Sequence, residues 1–192
     1  MNSLLPFAHG PNHDCPPARS EPAVHPVTVR CLRQMILSRE QGRGAMPPRL
    51  GLDRPVFEGV MQRHFPRERF WRSPRVLLGD DPGGSLEEEE LDDLLMAHRS
   101  VDAATAAWVA RIIRVGCQGR NHLWEDLGLW SRSELGALLT CNFHPLVRKN
   151  RLDMKWKNFL YKQLCERSGL RTCKVPNCCQ CSDYPACFGP EG

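Results

Sequence analysis

Five of the ten cysteines fall within fifteen positions, in Cys173-Lys-Val-Pro-Asn-Cys178-Cys179-Gln-Cys181-Ser-Asp-Tyr-Pro-Ala-Cys187. Taken as ligands, Cys173, Cys178, Cys181 and Cys187 have the spacing C-x4-C-x2-C-x5-C. Converging cysteines pair as disulfides, close around zinc, or hold an iron–sulfur cluster. Disulfides go with secretion, and Met1-Asn-Ser-Leu-Leu-Pro-Phe-Ala8 has neither a basic n-region nor a long apolar run. Zinc sites commonly use two C-x2-C knuckles, and this stretch has one. The opening C-x4-C-x2-C matches an iron–sulfur spacing whose fourth cysteine is remote rather than six residues on. Spacing alone therefore leaves iron–sulfur and zinc both open. Cys179 is an extra thiol, and with Cys181 it would form a tight C-x-C pair. Pro176, Pro185 and Gly189 predict a wrapped loop without helix or strand. With few apolar side chains, such a loop needs a bound metal to offset the entropy of ordering it.

Two histidines precede the cysteines in connectors. His122 lies in Asn121-His-Leu-Trp-Glu-Asp-Leu-Gly-Leu129, where it either ligates a metal, with Glu125 or Asp126 accepting its second ring N–H, or braces a helix end. His144 stands before Pro145, which predicts an extended backbone and either a side chain aimed into a cleft or a simple turn. Lys155, Arg171 and Lys174 flank the cysteines and would draw in an oxyanion or an acidic partner. Cys117, Cys141 and Cys165 sit in helical context and read as small buried residues. No nucleophile–base constellation or cofactor fingerprint points to an enzyme.

The elements that must position these residues read as helices. Residues 1–26 hold six prolines and no apolar period, which predicts a disordered tail in which His9, His13, Cys15 and His25 are incidental. A helix is expected from Val27 to Glu40, and another opens at Asp53 with Pro55 in its first turn and stops before Pro66. Asp80-Asp-Pro-Gly-Gly is a turn, and Ser85 caps a helix whose run Glu87 to Glu90 suits the positive end of the helix dipole. Asp102, Ser131 with Glu134, and Asn150 with Asp153 open three more helices, the last running to Gly169. No segment alternates as a strand does. The expected fold is all-α: a bundle of about five to six helices over 27–169, with a metal-ordered cysteine-rich loop over 170–192 packed on it.

Composition narrows the classes. No apolar run approaches the ~20 residues that span a bilayer, so no membrane is expected. Ten cysteines without a secretion signal predict a cytoplasmic, reducing setting. The net charge of +4 is a poor argument for nucleic acid, but its distribution is uneven. Residues 80–93 carry eight acidic groups and no basic ones, while residues 143–192 carry nine Lys/Arg against four Asp/Glu. Met154-Lys-Trp-Lys-Asn-Phe-Leu-Tyr-Lys-Gln-Leu-Cys165 interleaves basic and aromatic residues but reads as an amphipathic core helix with a basic outside, so no nucleic acid is expected.

Taken together, His122-Leu-Trp-x-Asp-Leu-Gly-Leu129, Arg132-x-Glu-Leu135, Asn150, Met154-Lys-Trp-Lys157, Phe159, Tyr161-Lys-Gln-Leu-Cys165 and Cys173 to Glu191 resemble the NifQ family of nitrogen-fixation proteins. The resemblance covers residues 85–192 well, 50–70 loosely and the N-terminal tail not at all. It implies a carrier rather than an enzyme, holding an iron–sulfur cluster (4Fe-4S or 3Fe-4S type) with molybdenum on Cys173, Cys178, Cys181 and Cys187. It also implies molybdate or another molybdenum source as supplier. The implied partners are the nitrogenase cofactor assembly proteins, namely the scaffold and the nitrogenase iron protein. In that reading His122 or His144 is a weaker ligand for a molybdenum corner that must leave. A zinc-stabilised adaptor and an iron–sulfur electron-transfer protein are the alternatives.

Overall fold

The computed structural model describes residues 23–79, 86–169 and 184–188, with the backbone alone at 86–88 and 184. Among the described residues the fold is all-helical, with α1 Pro26–Glu40, α2 Arg54–His64, α3 Pro74–Leu77, α4 Leu86–Ala97, α5 Ala103–Cys117, α6 Leu123–Asp126, α7 Arg132–Val147, α8 Trp156–Arg167 and α9 Tyr184–Phe188. Six of these have eleven residues or more; α3, α6 and α9 are single turns. No described helix is long and apolar enough to cross a membrane.

Two of the capping signatures act where the sequence puts them, while Asp53 stands at the cap position of α2 without a side-chain capping bond. Asp102 accepts the Thr105 N–H at 2.9 Å and Ser131 accepts the Glu134 N–H at 3.3 Å, each satisfying a donor that the first helical turn leaves open. α1 buries Leu32, Met35 and Ile36, α5 buries Val109, Ile112 and Ile113, and α7 buries Leu135, Leu138 and Leu139, each at helical spacing. α1 packs on α7, and α4 packs on both α5 and α8. Each fully buried Leu or Ile contributes about 1.5–3 kcal/mol relative to exposure, so the core is the source of stability and the single turns ride on it. Phe65 and Phe70 meet edge to face at 5.2 Å, and Trp71 donates to the Phe65 carbonyl, as packing aromatics do.

Four local expectations are corrected. The first helix starts at Pro26, one residue before the expected Val27, and His25 Nδ1 caps it by accepting the Val27 N–H at 3.2 Å. The final long helix begins at Trp156, not at Asn150. Asn150 instead closes a turn on Met154, accepting its N–H at 2.8 Å and donating to its carbonyl at 2.9 Å, while Asp153 at φ 52° interrupts any helix. His144 is not in a connector: α7 runs through it, and the break falls one residue earlier, at Phe143 (φ −139°, ψ 44°). Proline at 145 disrupts the preceding turn, and the His144 N–H donates to Ser100 Oγ at 3.0 Å. Pro185, expected to forbid helix, lies in the first turn of α9, where its missing N–H costs nothing. The turn at 80–84 and the Ser85 cap lie outside the described residues; Glu89 and Glu90 are exposed, as solvated first-turn carboxylates should be.

Candidate functional site

The connector between α5 and α7 is held from both sides. Leu123, Leu127 and Leu129 are buried, and Gly116 of α5 admits Leu127 so closely that a Cβ there would lie 2.6 Å from its Cδ2. On the α1 side, the Ala45 N–H donates to the Asp126 carbonyl at 2.9 Å. Gly128, at φ 75°, lets the chain turn against Ser38.

On the other side stands a buried polar cluster that sequence reasoning missed. The Asp126 carboxylate is fully buried and accepts from the Asn121 backbone N–H at 3.0 Å, from Asn121 Nδ2 at 3.2 Å, and from the Lys157 ammonium. Lys157 also donates to the Gly119 carbonyl at 2.7 Å. Gly119 is obligatory at this spot, because a Cβ would sit 2.2 Å from the Asp126 carboxyl carbon. A buried carboxylate is tolerated only with its charge paired and its lone pairs filled, and both conditions hold here. The effect is to bolt the His122 connector to the first turn of α8.

His122 occupies the cap position before α6 in extended conformation, and Glu125 accepts its backbone N–H at 3.0 Å. Asp126 and Glu125, the two carboxylates expected behind the His122 ring, thus have these other duties. His122 lines an open cleft of about 600 Å³ together with Arg120, Lys155, Lys157, Asn158 and Ala186. Ala186 brings the cysteine segment into that cleft. His144 is exposed and lines neither this cleft nor the other large one described below.

Of the expected ligands, Cys187 is described; Cys173, Cys178 and Cys181, with Cys179, Arg171 and Lys174, lie outside the described residues. Cys187 sits in α9, which docks on the start of α8. The Lys155 N–H donates to the Cys187 carbonyl at 2.8 Å, and the Lys155 ammonium reaches the Pro185 carbonyl at 3.4 Å. Asn158 Nδ2 donates to the Ala186 carbonyl at 3.2 Å and lies 3.7 Å from Cys187 Sγ. The Asn158 side-chain amide is thus the donor that the structure places beside the Cys187 sulfur. Among the described residues no three of His, Cys, Asp and Glu converge as a metal-ligand group.

The helical cysteines behave differently. Burial, aided by the neighbouring Glu134 carboxylate, pushes the Cys31 thiol up to about 12. Burial pushes Cys117 to about 12 as well, against the pull of nearby Lys157. Burial also raises the half-buried Cys141. The raised thiols are poor ligands; Cys117 is buried as expected, whereas Cys141 and Cys165, also expected to be buried, are only half-buried. Because the unfolded chain releases these protons first, near the ordinary value of 9, stability contributed by Cys31 and Cys117 is complete below that pH and declines as pH rises towards about 12. In the folded protein both are expected to resist iodoacetamide at about pH 8 and to react only after denaturation, which peptide mass spectrometry will read.

The NifQ family profile matches residues 31–189. The chain is 36% identical over 170 residues to protein NifQ of Azotobacter vinelandii, covering 83% of this chain and 87% of that protein. It is 34% identical over 174 residues to protein NifQ of Klebsiella pneumoniae, covering 82% and 96%. With protein NifQ of Rhodobacter capsulatus it shares 30% identity over 190 residues, 97% of each chain. No solved structure matches. The profile spans the helical body, the bolted His122 connector and the Cys187 helix alike, and the chain belongs to the NifQ family of nitrogen-fixation proteins.

Proposed function

We propose that this protein carries a molybdenum–iron–sulfur cluster as cargo and donates molybdenum to the iron–molybdenum cofactor of nitrogenase, acting as a cytoplasmic carrier and not as an enzyme. Cys173, Cys178, Cys181 and Cys187 would hold the cluster, of 4Fe-4S or 3Fe-4S type. Molybdate or another molybdenum source would load it, and the cofactor scaffold and the nitrogenase iron protein would receive from it.

The observation that carries this reading is the seating of the Cys187 helix at the start of α8, on the cleft that contains His122. The donor set fits the cargo. Thiolates suit iron–sulfur centres, whose sulfides hold a soft metal in turn. Asn158 beside Cys187 Sγ offers the kind of N–H···S contact that tunes such centres. A molybdenum atom that must depart needs, among its ligands, a donor weaker than thiolate. An imidazole or water is such a donor. His122 is our candidate for that role, supported by its place in the cleft that Ala186 also lines, whereas His144 lies elsewhere on the surface.

His122→Ala is therefore expected to keep its iron but lose most of its molybdenum after anaerobic purification, and to lose donation to cofactor assembly in vitro. His144→Ala is expected to match the parent in both. Equal molybdenum content and normal donation in His122→Ala would remove the histidine from the ligand set.

A further inference from the structure

The cysteine helix α9 is the wall between two clefts. Ala186 faces the His122 cleft, and Phe188 lines a second and larger one, of about 860 Å³, on the other side of α8. The apolar part of the second cleft comes from Leu152, Met154, Phe159 and Phe188, while its charged residues are Arg148, Lys149, Arg151 and Lys162 against a lone carboxylate, Glu166. Two of the cations are occupied: Lys149 Nζ lies 2.7 Å from His98 Nε2, and Lys162 lies 3.8 Å from Glu166. Arg148 and Arg151 are exposed and have no ion-pair or side-chain hydrogen-bond partner among the described residues.

Two large apolar side chains stand in water at this end of the molecule. Leu152 is 66% exposed and Trp130 is 58% exposed. Arg132 binds the Asp153 carboxylate at 2.7 Å and its carbonyl at 3.2 Å, which holds the segment that follows Trp130 against the turn that carries Leu152. Neither apolar side chain is needed by the core. Exposed Leu152 beside Arg148 and Arg151, with partly buried Phe188 in the same lining, has the composition of a protein-binding surface, in which aromatic and Arg residues supply most of the affinity.

We infer that the cleft formed by Arg148, Arg151, Leu152, Phe159 and Phe188 is the docking surface for an acidic segment of a partner protein that carries an aromatic or aliphatic anchor. Charge complementarity selects acidity: the lining carries Arg148, Lys149, Arg151 and Lys162 against Glu166, so the field here attracts an acidic segment and speeds its encounter. The apolar lining selects a side chain over a small oxyanion, which would gain nothing from Leu152 or Phe188 and would need donors converging on one point. The volume accommodates a few side chains. Because α9 forms part of the lining, a docked partner lies against the helix that bears Cys187. This inference concerns the surface and holds whatever the cysteines carry.

The test uses the full-length protein, isotopically labelled for amide NMR, titrated with the capped synthetic peptide Glu-Asp-Phe-Glu-Glu-Leu-Asp-Glu. Shift changes are expected to cluster at residues 148–152 and at Phe159 and Phe188, and the affinity to fall with added salt. The variant Arg148→Glu, Arg151→Glu should weaken binding at least about tenfold, and Leu152→Ser several-fold. All three positions are exposed, so these variants keep the fold, which the unshifted remainder of the spectrum verifies. Replacing Phe and Leu of the peptide by Ser should weaken it comparably. The inference is overturned if the Ser peptide binds equally well, if molybdate or phosphate alone produces the same shifts and displaces the peptide, or if shifts map away from the cleft. It is also overturned if sedimentation shows the protein self-associating through this face, with Arg148→Glu, Arg151→Glu restoring the monomer, since a second copy would then be the occupant.

Discussion

Alanine at any one of Cys173, Cys178, Cys181 or Cys187 is expected to strip the protein of its cluster, with loss of the brown visible absorption and of nearly all iron after anaerobic purification. The physical reason is chelation. A cluster bound by several thiolates of one short segment would dissociate once a ligand is missing, because a stretch with few apolar residues has little besides the metal to offset the entropy of ordering it. The helical body should survive the loss. Its core is drawn from α1, α2, α4, α5, α7 and α8 with Leu50 and Leu52, and the described part of the cysteine segment, α9, only packs against it. Far-UV circular dichroism should thus be nearly unchanged in all four variants. Cys179→Ala serves as the control for register. If it loses iron and colour while the other four keep them, the ligand set has been counted from the wrong cysteines.

The second large effect is expected at a residue with no thiol. Replacing Lys157 by Met should destabilise the helical body by about 3–5 kcal/mol, because it leaves the Asp126 carboxylate buried without a counter-charge. For a chain of this size that corresponds to a fall of roughly 10 °C in Tm. The double variant Asp126→Asn, Lys157→Met should be less damaged than Lys157→Met alone, since Asn keeps an acceptor for the Asn121 N–H and removes the stranded charge. Urea unfolding of the two variants against the parent measures this. A Lys157→Met protein within about 1 kcal/mol of the parent would mean that water already solvates Asp126. The same change loosens the joint between the His122 connector and α8, so retention of molybdenum should fall while iron is kept.

Short-range signals in the sequence proved good where one helix turn determines its own structure. Asp102 and Ser131 cap as their side chains dictate, and the apolar stripes of α1, α5 and α7 face the core. Local rules misplace boundaries where two of them compete. Asn150 with Asp153 has the spacing of a capping box, yet the Asn side chain prefers the Met154 backbone and the helix begins later. A proline at 145 predicts an extended His144, but the break moved to Phe143, where the chain changes direction at no cost to the capped N–H of His144. The joint that matters most for the site was illegible for a different reason. Lys157 and Asp126 are 31 residues apart, and nothing in either local stretch says that a lysine in a basic run turns inward. The cysteine spacing proposed a metal centre, but the part played by the start of α8, through Lys155 and Asn158, appears only when α9 is seen seated on it.

The central claim is that the cysteine segment carries molybdenum and iron together. The most direct measurement is elemental analysis of the intact protein purified anaerobically from cells expressing it with molybdate supplied, with iron, molybdenum and zinc determined on the same sample. The account predicts iron and molybdenum in a fixed ratio and zinc in trace amount. Stoichiometric zinc with neither iron nor molybdenum would contradict it and make the segment a zinc-stabilised adaptor surface, and iron without molybdenum would reduce it to an electron-transfer centre.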